Sequence, residues 1–143
     1  YKKFSKKQIS SLMNLSQYLL KKYKIKSKNI LGHSDIAPDR KKDPGEKFPW
    51  KYLAKNKIGY WHSLSSKLLK KNRQLKVNHE DKKLFLNNLY KIGYSKSFSK
   101  IKNEKHIRSI IKAFQRRFRQ EMIDGKIDKE CLIISKNIIK RIK

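Results

Sequence analysis

Small or apolar residues recur at spacings of three and four through Ile9, Leu12, Met13, Ser16, Leu19 and Tyr23. That period puts them on one stripe and predicts an amphipathic helix over residues 6–23. Ser5 is placed to cap its start, and Lys21 and Lys22 suit its C-terminal end. Asn29-Ile30-Leu31-Gly32-His33 is a short apolar run that reads as a buried strand. The pattern resumes in the second half. Leu84, Phe85, Leu86, Leu89 and Tyr90 mark a helix ending at Gly93, a natural C′ position. Ile107, Ile110, Ile111, Phe114 and Phe118 mark another. Leu132, Ile133, Ser135, Ile138, Ile139 and Ile142 mark a third, with Asp128 as its N-cap and Cys131 at its third helical position. Three short helices suit a small bundle.

Between these patterned regions the periodicity stops. Ser34 to Trp50 holds all three prolines, Pro38, Pro44 and Pro49, and reads as a long loop. Long ordered loops in compact domains are often functional. A short helix follows over Pro49–Asn56, with Pro49 in its first turn. Ile58-Gly59-Tyr60-Trp61 reads as a turn with aromatic anchors. Residues 63–80 form a lysine-rich, weakly patterned connector, and Asp124-Gly125 signals a tight turn before the last helix.

Charge adds a second layer. Lys and Arg number 39 against 11 Asp and Glu, a formal net charge of +28. Such a balance attracts any polyanion. Lysines spread along the whole chain and outnumber arginines, so three origins stay open: biased coding composition, attraction to an anionic wall polymer, and nucleic-acid binding. No stretch approaches the roughly 20 apolar residues a membrane helix needs. One cysteine, Cys131, excludes an internal disulfide and is expected to act as a small buried hydrophobe.

Chemistry concentrates in the proline-bounded loop. His33 sits at its start and Asp43 near its far side, so the two can converge on one metal. Imidazole nitrogen and carboxylate oxygen are both good zinc ligands, and a catalytic zinc takes three protein ligands with one open position. Two are visible here and a third is not. On composition alone such a pair is more often two ordinary surface residues.

The motif changes that balance. His33-Ser34-Asp35-Ile36-Ala37-Pro38, followed by Arg40-Lys41, Asp43-Pro44-Gly45 and Phe48-Pro49-Trp50, resembles the C-terminal motif of the type 2 N-acetylmuramoyl-L-alanine amidases. These are zinc enzymes related to phage lysozyme-like amidases and peptidoglycan recognition proteins. The resemblance implies that His33 and Asp43 are the second and third zinc ligands. It implies that Lys41 stabilises the oxyanion formed as hydroxide attacks the lactyl amide. Arg40 contacts substrate or holds Asp35, Ser34 and Asp35 brace the loop, and Phe48 and Trp50 pack. The family's first zinc ligand and its general-base Glu lie upstream of the helix that precedes His33. The chain is therefore expected to be part of a longer product, to expose the apolar stripe of its first helix, and to be inactive alone. His62, His79 and His106 are expected to be surface or structural residues.

Residues 80–143 resemble a three-helix peptidoglycan-binding domain. Leu89, Gly93-Tyr94, Ile110, the run Ala113-Phe114-Gln115-Arg116-Arg117-Phe118-Arg119, Asp124-Gly125 and Asp128 carry the likeness. Phe114 and Phe118 are expected in the core. Gln115, Arg116 and Arg119 are expected to face outward, either as a solvated basic face or as contacts to glycan or stem peptide. The family Pro after Phe118-Arg119 is replaced by Gln120-Glu121, which leaves that turn open.

The fold expectation is thus the C-terminal portion of an α/β amidase (a helix, one strand and a metal loop, residues 1–62), a linker over 63–79, and an all-α unit over 80–143. The implied activity is zinc-dependent cleavage of the amide between N-acetylmuramic acid and L-alanine; a non-catalytic wall-binding module is the alternative. Implied partners are peptidoglycan or muropeptides and not nucleic acid. The chain is expected to be a monomer without a transmembrane segment. Its expected place is the cell envelope or periplasm, with anchoring to the outer membrane left open.

Overall fold

A computed structural model describes residues 3–94 and 103–142. In chain order the helices are α1 (Lys6–Lys22), α2 (His33–Ile36), α3 (Trp50–Lys55), α4 (Ser66–Asn72), α5 (His79–Ile92), α6 (Glu104–Phe118) and α7 (Lys129–Ile142), with a 3-10 turn at Ser27–Asn29. The local signals read from the chain operate as expected. Ser5 Oγ accepts from the Gln8 amide while the Gln8 side chain accepts from the Ser5 amide, a full capping box on α1. Gly93 ends α5 at φ 106°, where its amide and that of Tyr94 reach back to Leu89 O. Asp128 Oδ1 accepts from the Cys131 amide and so caps α7.

The core lies among α5, α6 and α7. Phe85, Leu89, Tyr94, Ile110, Phe114, Phe118, Cys131, Leu132, Ile134 and Ile138 form one buried cluster. Phe85 and Phe114 meet edge-on at 5.2 Å between ring centroids, and Phe118 lies 5.2 Å from Phe114. Tyr60, Trp61, Leu64, Leu69 and Val77 pack against the same cluster. The stretch around α4 therefore closes the side of the core. Burial pushes the Cys131 thiol up to about 12, as befits a small hydrophobe.

The α/β expectation is corrected. Among the described residues there is no strand, and the 29–33 run forms the 3-10 turn, an extended link and the start of α2. A strand persists only where a neighbour takes its backbone groups. Here other groups take them. Arg117 Nη2 donates to Ile30 O at 2.8 Å, the Gly32 amide donates to Asp35 Oδ2 at 2.9 Å, and the Ser34 amide donates to Asp43 O at 3.0 Å.

α1 carries no buried residue. Leu15 and Tyr18 stay exposed, whereas Leu12 and Ser16 face a shallow groove walled by Pro44, Phe48, Trp50, Leu53 and Ile58. Trp50, Leu53 and Ile58 are the buried centre of this first part. No helix of the described residues is long and apolar enough to cross a membrane.

Candidate active site

The loop that starts at His33 is closed by its own backbone. The Ser34 amide bonds Asp43 O, the Ala37 amide bonds His33 O at 2.8 Å, and the Arg40 and Lys41 amides both bond Ala37 O, at 3.1 and 2.9 Å. These bonds return the chain on itself, so His33 and Asp43, distant in sequence, meet at the loop mouth. Gly32 permits the approach. A Cβ there would stand 2.7 Å from Pro44 Cδ and 3.2 Å from the Trp50 ring.

His33 Nδ1 donates to Asp43 Oδ2 at 2.5 Å, and both side chains remain largely open to solvent. A carboxylate only accepts, so the ring nitrogen carries the shared proton. This hydrogen bond holds the Asp43 carboxyl below its usual range against the opposing effect of burial, with lesser help from the Asp43 backbone amide and the charges of His33 and Lys41. Lys41 and Arg40 are exposed on the turn that leads into Asp43.

The donor set, one imidazole nitrogen and one carboxylate oxygen, fits two of the three protein ligands of a catalytic zinc. Among the described residues no three His, Cys, Asp or Glu side chains gather to hold an ion. His106 is engaged by Asp39. His62 is buried beside Trp61, and burial, with the Lys51 charge adding to it, depresses its imidazole to about 4.

Asp35 braces the loop, as expected, but its partners lie elsewhere than Arg40. Arg117 Nη1 donates to its Oδ2 at 2.6 Å and Tyr94 Oη to its Oδ1 at 2.6 Å. The Arg117 guanidinium also lies over the rings of Trp50 and Tyr60, at 4.2 and 4.9 Å. Burial, the largest single effect, opposes its charge, but Asp35 together with Tyr94 and Tyr60 outweighs it and raises the Arg117 pKa above its usual value. Trp50 is a packing residue here, 4% exposed.

The outward placement of Gln115, Arg116 and Arg119 is corrected: all three are buried. Gln115 Nε2 donates to Asp124 Oδ1 and Lys126 O, and its Oε1 accepts from the Gly125 amide, so it holds the Asp-Gly turn. Arg119 ion-pairs with Asp124 and Asp128. The sequence reading missed Arg117 and Tyr94. The available signal was an arginine three residues after one core phenylalanine, Phe114, and next to another, Phe118.

A family profile described as N-acetylmuramoyl-L-alanine amidase matches residues 1–46. The similarity is to the type 2 N-acetylmuramoyl-L-alanine amidase family. It is 32% identical over 138 residues to the N-acetylmuramoyl-L-alanine amidase AmiD of Escherichia coli (strain K12), an alignment covering 96% of this chain and 49% of AmiD. The 1,6-anhydro-N-acetylmuramyl-L-alanine amidase AmpD of Enterobacter cloacae is 49% identical over 43 residues, 30% of this chain and 23% of AmpD. Among solved structures, E. coli AmiD bound to the substrate anhydro-N-acetylmuramic acid-L-Ala-D-gamma-Glu-L-Lys superposes with a TM-score of 0.81 and 30% identity. That match covers 97% of this chain and 53% of the AmiD chain. AmpDh3 from Pseudomonas aeruginosa, bound to anhydromuramic pentapeptide, gives a TM-score of 0.80 at 29% identity, covering 99% and 55%. The chain spans about half the length of AmiD. The AmiD and AmpDh3 matches extend over the all-helical unit as well as the loop, which supports the correction of the fold class.

Proposed function

We propose that this chain forms part of a zinc-dependent peptidoglycan hydrolase that cleaves the amide between N-acetylmuramic acid and L-alanine. The carrying observation is the meeting of His33 Nδ1 and Asp43 Oδ2 at 2.5 Å on a loop with Lys41 between them in sequence. In this reading His33 and Asp43 hold the metal with a third donor from outside the described residues. Bound zinc would supply a Lewis acid that activates water and polarises the amide carbonyl. Lys41 places its ammonium where negative charge develops on the carbonyl oxygen. Arg40, exposed beside it, engages a carboxylate of the stem peptide. The buried Gln115, Arg116 and Arg119 act through the shape of the α6–α7 turn. The α5–α7 unit holds the protein on wall material, and the setting is the cell envelope. With two ligands in reach, this chain by itself binds zinc weakly and turns over poorly.

Two readouts test this. Zinc affinity, measured by competition with a chromophoric chelator, should fall at least about tenfold in His33→Ala and in Asp43→Ala. Release of the tripeptide from anhydromuramyl-L-Ala-D-γ-Glu-L-Lys should be near background for this chain. It should appear in a chimera with the part of AmiD that this chain leaves unaligned, and fall about 10²–10³-fold there in Lys41→Ala. A folded, zinc-loaded chimera that grips sacculi without cutting would leave a wall-binding module in place of the hydrolase.

A further inference from the structure

Helix α6 touches the His33–Asp43 loop at two places. Near its C-terminal end Arg117 holds Asp35, with both side chains buried. In its first turn His106 Nδ1 pairs with Asp39 Oδ2, with both side chains partly exposed. The two contacts are three helical turns apart, about 16 Å along the axis. α6 is therefore a rigid strut lying alongside the loop, and its start is fixed by Asn103 Oδ1, which accepts from the Lys105 and His106 amides.

The second contact falls on the turn that matters. Asp39 lies inside the reversal closed by the Arg40 and Lys41 amides on Ala37 O. Lys41 is two residues further on. A lysine head swings on four carbons and takes its working position from the backbone beneath it. The Asp35 anchor pins the start of the loop and the Ser34 amide bond to Asp43 O holds its far end. The side-chain tie at Asp39 adds a hold on the 37–41 turn between them.

We propose that His106 is a positioning residue for Lys41: through Asp39 it ties the 37–41 turn to the first turn of α6 and so sets where the Lys41 ammonium can reach. His106 itself touches no reacting group. The functional half of this inference rests on the amidase reading; the mechanical half does not.

Amide hydrogen exchange on this chain reads the mechanical half without metal or substrate. In His106→Ala the Arg40 and Lys41 amides should exchange at least about tenfold faster. The Ser34 and Asp35 amides and the interior of α6 should keep their rates. Asp39→Ala, a surface-loop change that spares the helix, should give the same local effect. The double variant should add nothing to either, and His106→Gln, which can still donate to Asp39, should restore protection. Unchanged rates at 40 and 41 in a folded His106→Ala or Asp39→Ala protein would overturn the proposal, as would a rise spread evenly over the chain. In the AmiD chimera, His106→Ala should lower kcat about tenfold with zinc affinity unchanged. A chimera with no cleavage but intact exchange results would sink the amidase reading and leave the tie standing. Cleavage that is indifferent to His106, with flat exchange at 40 and 41, would sink the tie alone.

Discussion

Arg117 does more than any other side chain to join the two parts of the chain. It is 1% exposed, and it bridges the Asp35 carboxylate and the Ile30 carbonyl across more than 80 residues of sequence. A buried charge that loses its partner is costly, because the remaining ion keeps its desolvation penalty without compensation. Arg117→Met should therefore lower stability by about 3–5 kcal/mol in urea unfolding. Arg117→Met combined with Asp35→Asn should be less damaging than Arg117→Met alone, since no bare carboxylate is then left inside. If Arg117→Met costs under about 1 kcal/mol, the pair is not what holds the loop to α6. Such pairing was out of reach from the sequence. An arginine beside other arginines announces neither its burial nor its partner, and Gln115, Arg116 and Arg119 were assigned to the surface for the same reason.

Elements were more legible than residues. Ser5, Gly93 and Asp128 act where the chain places them, because a cap is a bond between groups two to four residues apart. α1 depends on this more than the other long helices do, since it has no buried residue to hold it. Ser5→Ala is expected to cost about 1 kcal/mol. It should show as faster amide exchange confined to the first turns of α1, with α5–α7 unaffected; an even loss across all helices would contradict this. Besides the short helices α2 and α4, which fall inside the stretches read as loop and connector, the element misread was the 29–33 run. Its apolar residues satisfy a strand and a buried link equally, and a strand is defined by neighbours that a single segment does not carry.

At the scale of the whole molecule, seven of the eleven carboxylates pair with arginine or histidine. Asp35, Glu121, Asp124, Asp128 and Glu130 pair with Arg73, Arg117 and Arg119, while Asp39 and Asp43 pair with histidines. The net charge of +28 is the excess of 39 Lys and Arg over 11 Asp and Glu, and most lysines stay exposed. Acid should weaken this fold at His62 in particular. Its imidazole is held neutral in the folded chain, at about 4 against a usual 6.5, first by burial and then by Lys51. The unfolded chain binds the extra proton between those values, so stability is full above about pH 6.5 and falls as pH drops toward 4. Thermal melts across that window should decline more steeply for the native chain than for His62→Phe. Equal slopes would mean that the ring is already charged in the fold.

Sequence alone determined which long segments coil, where their caps fall, and which side chains, His33, Asp43 and Lys41, belong to one motif. Those properties rest on periodicity and on hydrogen bonds that close within a turn or a loop. Tertiary structure decided that no strand forms in the described residues, that α6 braces the His33–Asp43 loop through Arg117 and His106, and that the basic run at 115–119 turns inward. The contacts of α6 with the loop pair groups 67 to 87 residues apart along the chain. Burial sets their energy, and burial exists only once the helices have packed.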